Sequence, residues 1–259
     1  MSTTKRTALI TGSSSGIGLG IARAFAKAGY NLVFNGLEEN GDEIAQSVAK
    51  EFGIEAFFSS ANLLKPELIQ EMVKEAEERF GSVDVLINNA GVQFVSPIEE
   101  FPEGRWDLII GVNLSAAFHT SKAVWPGMKE RGFGRIINIA SAHGLTASPF
   151  KSAYVASKHG IVGLTKVLAL EGAPHGITAN AVCPGYVRTP LVEDQIKDQA
   201  KAHGISEEEV VEKIMLDKHA VKDFVTVEQL ASTSLFLAGE QASTITGTAI
   251  PVDGGWTAQ

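Results

Sequence analysis

Tyr154 and Lys158 stand four residues apart in Tyr154-Val155-Ala156-Ser157-Lys158, inside a stretch with helical periodicity over 152–172. That spacing puts both side chains on one face of a helix. A free phenol titrates at about 10 and is a poor base at neutral pH. An ammonium beside it favours the phenolate and lowers that value. Such a pair can take a proton from an alcohol or return it to a ketone. Taken alone, the pair is more often a surface tyrosine next to a solvated lysine. Ser141, however, follows directly on the apolar run 135–140, and its hydroxyl could donate to a developing alkoxide, or simply cap a turn. Asn113 lies in a helical pattern where asparagine has poor propensity, and its side chain could hold a water for proton relay. The triplet Asn113-Leu114-Ser115 also fits a glycosylation acceptor, which a cytosolic chain would not use.

A second cluster could hold phosphate. Strand-like residues 7–11 run into Gly12-Ser13-Ser14-Ser15-Gly16-Ile17-Gly18, where a helix begins. Glycines let the backbone approach a pyrophosphate, and a helix N-terminus offers free N–H groups and positive dipole character. The same residues fit the G-x-S-x-G elbow of hydrolases, but six histidines and 30 acids would supply partners by chance, so that match has little force. Dinucleotide choice is read at the end of the second strand. There, Phe34-Asn35-Gly36-Leu37-Glu38 carries no basic residue to meet a 2′-phosphate. The expectation is NAD, with Asn35 hydrogen-bonded to the ribose.

These residues need elements to place them. Strands are expected at 7–11, 31–35, 56–59, 85–88, 135–140, 178–182 and 249–253. Helices are expected at 17–28, 42–52, 66–80, 106–131, 152–172 and 227–238. This alternation predicts an α/β fold, a doubly wound parallel sheet of about seven strands with helices on both faces. Ligands then bind beyond the carboxyl ends of the strands, where Ser141 and the glycine turn fall. The rhythm breaks over 190–224, a strongly charged stretch without a strand. Ser206 followed by Glu209 forms a capping-box pattern there. Beside the ligand edge, these helices are expected to act as a lid. No linker is seen, so 1–259 is expected to form one domain.

Composition removes other classes. The 259 residues carry 22 Lys and Arg against 30 Asp and Glu, a net charge of −8, which argues against a nucleic-acid surface. No apolar run approaches a membrane span of roughly 20 residues. A lone Cys183 allows no internal disulfide and reads as a buried small residue; no metal site is evident. The expected location is the cytoplasm.

Taken together, Thr11–Gly18, Asn88-Asn89-Ala90-Gly91, Asn113, Ser141, Tyr154-Val155-Ala156-Ser157-Lys158 and Pro184-Gly185 resemble the short-chain dehydrogenase/reductase family, from about residue 6 to the C-terminus. The resemblance implies a Rossmann-type domain, a nicotinamide cofactor and a catalytic tetrad of Asn113, Ser141, Tyr154 and Lys158. It implies cofactor contacts from Gly12, Ser14, Ser15, Gly16, Ile17, Gly18, Asn62, Leu63, Asn89, Ala90, Gly91, Tyr154, Lys158, Pro184, Gly185, Val187 and Thr189. Where the family often has Asp after the third strand, this chain has Asn62, whose amide oxygen could still accept from the adenine. Around Ser141 the chain is similar to members that oxidise D-3-hydroxybutyrate to acetoacetate. That implies Gln93, His143, Lys151 and Gln195 on the substrate carboxylate, with Ser141 and Tyr154 at the hydroxyl. Tyr186 and Trp256 would face the methyl end, Tyr186 standing where some relatives carry Trp. Each clamp residue taken singly is more often a solvated or loop residue. Rival expectations are a 3-oxoacyl carrier-protein reductase and a non-catalytic nucleotide-sensing protein on the same fold. The resemblance further suggests a homotetramer.

Overall fold

The computed structural model describes residues 5–189, 192–193, 196–197, 200–201 and 204–258. Its strands are β1 (Thr7–Ile10), β2 (Asn31–Asn35), β3 (Ala56–Ser59), β4 (Val85–Asn88), β5 (Gly134–Ile139), β6 (Ile177–Pro184) and β7 (Ala249–Val252). They form one sheet in the order β3-β2-β1-β4-β5-β6-β7. Every pairing is parallel. The chain reverses its direction of travel across the sheet between β1 and β4, which opens a crevice at their carboxyl ends.

Near-continuous apolar strands suit a sheet covered on both sides. Along β1, Ala8 and Ile10 enter one core while Leu9 enters the other; along β2, Leu32 and Phe34 oppose Val33 in the same way. The first core is closed by α1 (Gly16–Lys27), α2 (Gly41–Phe52) and α8 (Val227–Ala238), through Ile21, Phe25, Val48 and Leu230. The second is closed by α3 (Pro66–Phe80), α5 (Ala116–Arg131) and α6 (Ser152–Gly172), through Met72, Val124, Met128 and Leu168. Proline opens α3, and left-handed Gly81 follows just past its end.

The helix expected over 106–131 starts earlier and has two parts. α4 (Glu103–Ile110) passes through a π-helical turn at Gly111–Ser115 before α5 begins. Such turns shift the backbone register by one residue and often occur at functional sites. Here the shift falls on Asn113.

Between β6 and α8, Ser206 caps α7 (Glu207–Val210) in a full capping box with Glu209, as its sequence pattern predicts. A second π-turn follows at Val211–Met215. The insertion has its own small core of Val192, Ile196, Val210, Met215, Leu216 and Phe224. A parallel bridge between Val187 and Val225 ties its two ends together. Gln195, expected to reach the substrate from this insertion, lies outside the described residues. Among the described residues no helix is long and apolar enough to cross a membrane.

Candidate active site

A cleft of about 700 Å³ opens at the carboxyl ends of β1, β4, β5 and β6. Beside it, past β1, lies a backbone-rich turn that meets the cleft at Ile17 and Asn89. Gly12 has φ +60°, and a Cβ there would lie 2.9 Å from Ala90 Cα. A Cβ on Gly18 would lie 2.1 Å from the Gly12 carbonyl oxygen. Thr11 and Asn89 hold this turn in shape. The Asn89 amide donates to the carbonyls of Thr11 and Gly12, each at 2.9 Å, and the Thr11 hydroxyl accepts from the N–H groups of Asn89 and Ala90 at 3.0 and 3.1 Å. Ser15 stands at the N-cap of α1 without a side-chain cap, and the first turn has no acidic residue. Ile17, Asn89, Gly91, Pro184, Gly185, Val187 and Thr189 all border the cleft. A glycine-lined turn running into an uncapped helix N-terminus fits the pyrophosphate of a dinucleotide.

Asn35 sits differently from the expectation. It is buried, and its amide donates to the carbonyls of Ser59 and Ala61, both at 3.0 Å, so it pins the β3 exit rather than presenting N–H groups to a ribose. The polar group at the tip of β2 is Glu38, whose carboxylate accepts from the Ser14 hydroxyl and, at 3.0 Å, from Leu37 N–H. The Ser14 hydrogen bond is the main reason that this carboxylate is held below its ordinary pKa. Asn62 closes a local turn, its Oδ1 accepting from Leu64 N–H at 3.0 Å; Leu63 next to it packs against the second core.

The cleft itself is lined by the candidate reacting groups Ser141, Tyr154 and Lys158. Ser141 leaves β5 in extended conformation and caps a short 3-10 turn, its hydroxyl accepting from His143 N–H at 3.1 Å. Tyr154 and Lys158 project from the first turns of α6, with the Lys158 ammonium 5.6 Å from the centre of the Tyr154 ring. Lys158 is buried and donates to the Ile139 carbonyl at 2.9 Å. Burial pulls its pKa down to about 8, partly opposed by the nearby Cys183. The expected lowering of the Tyr154 phenol is not what this geometry gives. Burial raises it above the ordinary value, and the hydrogen bond with Ser141 only partly offsets that. Asn113 is likewise more committed than expected. Its Oδ1 accepts from Val92 N–H at 2.8 Å, and its amide donates to Val92 O at 3.0 Å and to Ser157 Oγ at 3.2 Å. Both amide hydrogens are therefore spent on holding the Gly91–Val92 wall to α6.

On the substrate side, Gln93, His143, Lys151, Tyr186 and Trp256 all line the cleft. The Lys151 ammonium lies 5.9 Å from the centre of the Tyr186 ring. Its pKa is lowered, first by burial and then by Lys218. His143 is buried and pushed down to about 4, again by burial first and then by Lys151 and Lys218. It is thus a neutral ring, hydrogen-bonded through Nε2 to Ser148 Oγ at 3.0 Å. Tyr186 and Trp256 stack with centroids 5.6 Å apart and planes within 8°.

Several residues here escaped the sequence reading. Glu38 was visible, but choosing it over Asn35 required the backbone path. Arg105, on α4, lines the cleft with its guanidinium 5.4 Å from the Phe94 ring centre. The Lys218 ammonium lies 5.8 Å from the Trp256 ring centre, and buried His219 packs behind it. No spacing signal connects 218–219 to Trp256.

Comparison with known proteins agrees with this geometry. The sequence profile described as short chain dehydrogenase matches residues 6–200. The chain is 57% identical to the D-beta-hydroxybutyrate dehydrogenase of Rhizobium meliloti (strain 1021) over 98% of its own length and 99% of that protein. It is 48% identical to a D-beta-hydroxybutyrate dehydrogenase of Cupriavidus necator, over 98% of each chain. It is 38% identical to a 3-oxoacyl-[acyl-carrier-protein] reductase of Staphylococcus epidermidis, over 96% of this chain and 98% of that one. With a parallel seven-stranded sheet, a glycine-turn cleft and a profile match over most of its length, the chain belongs to the short-chain dehydrogenase family.

Proposed function

We propose that the protein catalyses the reversible, NAD-dependent oxidation of D-3-hydroxybutyrate to acetoacetate. The observation that carries this reading is the meeting, in one cleft, of Ser141, Tyr154 and Lys158 with a polar and aromatic wall suited to a small carboxylate. The full-length identity of 57% to a D-beta-hydroxybutyrate dehydrogenase supports it. Bound dinucleotide supplies the hydride acceptor for C3 of the substrate. Gly12, Ser14, Ser15, Gly16, Ile17 and Gly18 would hold its phosphates, and Lys158 and Tyr154 would face its nicotinamide end. The Glu38 carboxylate beside Ser14 favours a free ribose hydroxyl and repels a 2′-phosphate, which supports NAD over NADP.

The chain's own groups divide the remaining work. Lys151, Gln93 and neutral His143 receive the carboxylate, with Gln195 assigned to the same end. Tyr186 and Trp256 face the methyl group. Ser141 donates a hydrogen bond to the reacting oxygen, and Tyr154 takes its proton, helped by the positive charge on Lys158. Asn113 fixes Val92 and Ser157, and so holds the wall beside the reacting centre. The insertion closes over the substrate and excludes water. Val192 supports this, because it borders the cleft and also belongs to the insertion's core. The whole chain acts as one domain. Exposed Phe118, Val167 and Leu170 on α5 and α6 support assembly into a homotetramer. A cytoplasmic setting suits the single buried, unpaired thiol of Cys183.

The test is NADH formation from D-3-hydroxybutyrate, its L enantiomer and 3-hydroxyvalerate, each with NAD and NADP. Turnover of the D acid with NAD, and none of the L acid, is the expected result. NAD binding without turnover of any of these acids overturns the assignment. Faster turnover with NADP, or of a carrier-bound 3-oxoacyl group, points instead to the reductase reading.

A further inference from the structure

His219 is a buried, titratable residue to which the proposed reaction gives no role. It lies late in the inserted segment, and two separate parts of the chain converge on its imidazole. The Tyr186 N–H donates to its Nε2 at 3.4 Å. Its ring centroid lies 6.1 Å from that of Tyr186 and 5.7 Å from that of Trp256. Two glycines leave room for it: a Cβ on Gly185 would lie 2.8 Å from His219 Cε1, and one on Gly254 would lie 2.9 Å from Nδ1. The imidazole therefore fills a space kept open between the β6 exit and the C-terminal segment, directly behind the stacked pair that faces the cleft.

The chemistry of the ring matters as well as its size. Because Nε2 accepts a hydrogen bond, the neutral ring carries its proton on Nδ1. Nδ1 is buried without a hydrogen bond of good geometry, although the Asp223 backbone lies close enough to oppose, in part, the lowering of the ring's pKa by burial. For packing alone an apolar ring would serve better, since a buried donor without a good partner is costly. What histidine adds is the acceptor for Tyr186 N–H. Burial lowers its pKa and keeps that acceptor available near neutrality.

We propose that His219 is a positioning residue that sets the wall at the methyl end of the substrate, and with it the length of 3-hydroxy acid accepted. It acts by accepting from the Tyr186 backbone and bracing the rings of Tyr186 and Trp256. This rests on the hydroxy-acid reading above. Three proteins are compared: the unsubstituted enzyme, His219→Phe, which keeps a ring but removes the acceptor, and His219→Gln, whose amide oxygen can accept the same N–H. KM and kcat are measured for D-3-hydroxybutyrate and D-3-hydroxyvalerate, along with KM for NAD. For His219→Phe the expected result is a KM for hydroxybutyrate raised about tenfold, the scale of one buried donor left unpaired. Its kcat and its KM for NAD should move little, and its preference should shift toward the longer acid. His219→Gln should restore most of the loss. If His219→Phe does not fold, His219→Met, which also offers no strong acceptor, is read in the same way.

An unmoved KM and length preference in the folded acceptor-free variant overturns the role of His219. So does His219→Gln behaving like that variant, or a parallel loss in kcat and NAD affinity. Failure of the unsubstituted enzyme to oxidise either acid overturns the hydroxy-acid reading itself, which keeps the two failures distinct.

Discussion

Lys158 should cost the fold stability that its chemistry requires. Its ammonium is buried, makes one described hydrogen bond, to the Ile139 carbonyl, and titrates at about 8 instead of 10.5. At about 1.4 kcal/mol per tenfold change, holding the charged form in the fold at pH 7 carries a penalty of about 3 kcal/mol. Lys158→Met fills similar space without charge. It removes that penalty but leaves the Ile139 carbonyl unpaired, a loss of about 1–2 kcal/mol. The net effect at pH 7 is a gain of about 1–2 kcal/mol, or a Tm higher by about 2–6 °C for a chain of this size. The sign must change with pH. Between about 8 and 10.5 the unfolded lysine keeps its proton while the folded one has lost it, so wild-type stability rises over that window. By about pH 10 most of the penalty is gone, and the variant should be no more stable than wild type, or less so. Thermal melts of both proteins at pH 7 and pH 10 measure this, and turnover should be lost at both. A difference between variant and wild type that is the same at the two pH values refutes the reasoning.

Other substitutions separate the parts of the site. Tyr154→Phe should lower turnover by about 10²–10⁴-fold, the usual weight of a general acid–base, while NAD binding by fluorescence titration stays close to wild type. Gly18→Ala places a Cβ 2.1 Å from the Gly12 carbonyl, so it should weaken NAD binding and lower Tm together; unchanged NAD affinity would remove the turn from the phosphate site. Lys151→Ala should raise KM for the hydroxy acid at least tenfold with little change in NAD affinity. An unchanged KM takes Lys151 out of the carboxylate clamp.

The elements were most legible where burial alone decided them. Strands β2, β3 and β4 fall where the apolar runs 31–35, 56–59 and 85–88 place them. Strand ends moved where polar residues continue the run, as at Thr11, which lies past β1 and uses its hydroxyl on Asn89 and Ala90. Candidate residues on strand ends and on α6 meet at one cleft, because regular geometry converts spacing into direction. The π-turn at Gly111–Ser115 was not, since a change of hydrogen-bond register leaves no mark in hydrophobic periodicity. The raised phenol of Tyr154 is hidden for a related reason: the sequence shows the ammonium four residues away, but not the burial that raises the phenol against the Ser141 hydrogen bond. Tyr186 and His219 meet across 33 residues, a contact that only the folded backbone specifies.

Precision at the reacting centre follows from a buried polar chain behind it. Thr120 donates to Asn88 Oδ1 at 2.6 Å, Asn88 donates to Asn138 Oδ1 at 2.8 Å, and Asn138 donates to Thr165 Oγ1 at 2.8 Å. That chain crosses from α5 through β4 and β5 to α6. Each amide group would be expensive to bury unpaired, so the four residues tolerate only one relative placement of helices and strands. Asn113 adds a second tie, joining the π-turn to Ser157 on α6 and to Val92 beyond β4. Apolar packing alone would let α6 slide by a fraction of an ångström at little cost, whereas the polar chain does not. Because Tyr154 and Lys158 ride on α6 and Ser141 leaves β5, fixing α6 against β5 fixes the proposed proton acceptor, Tyr154, against the hydrogen-bond donor, Ser141. Asn88 and Asn138, buried in the middle of the sheet, would therefore serve the proposed reaction through geometry.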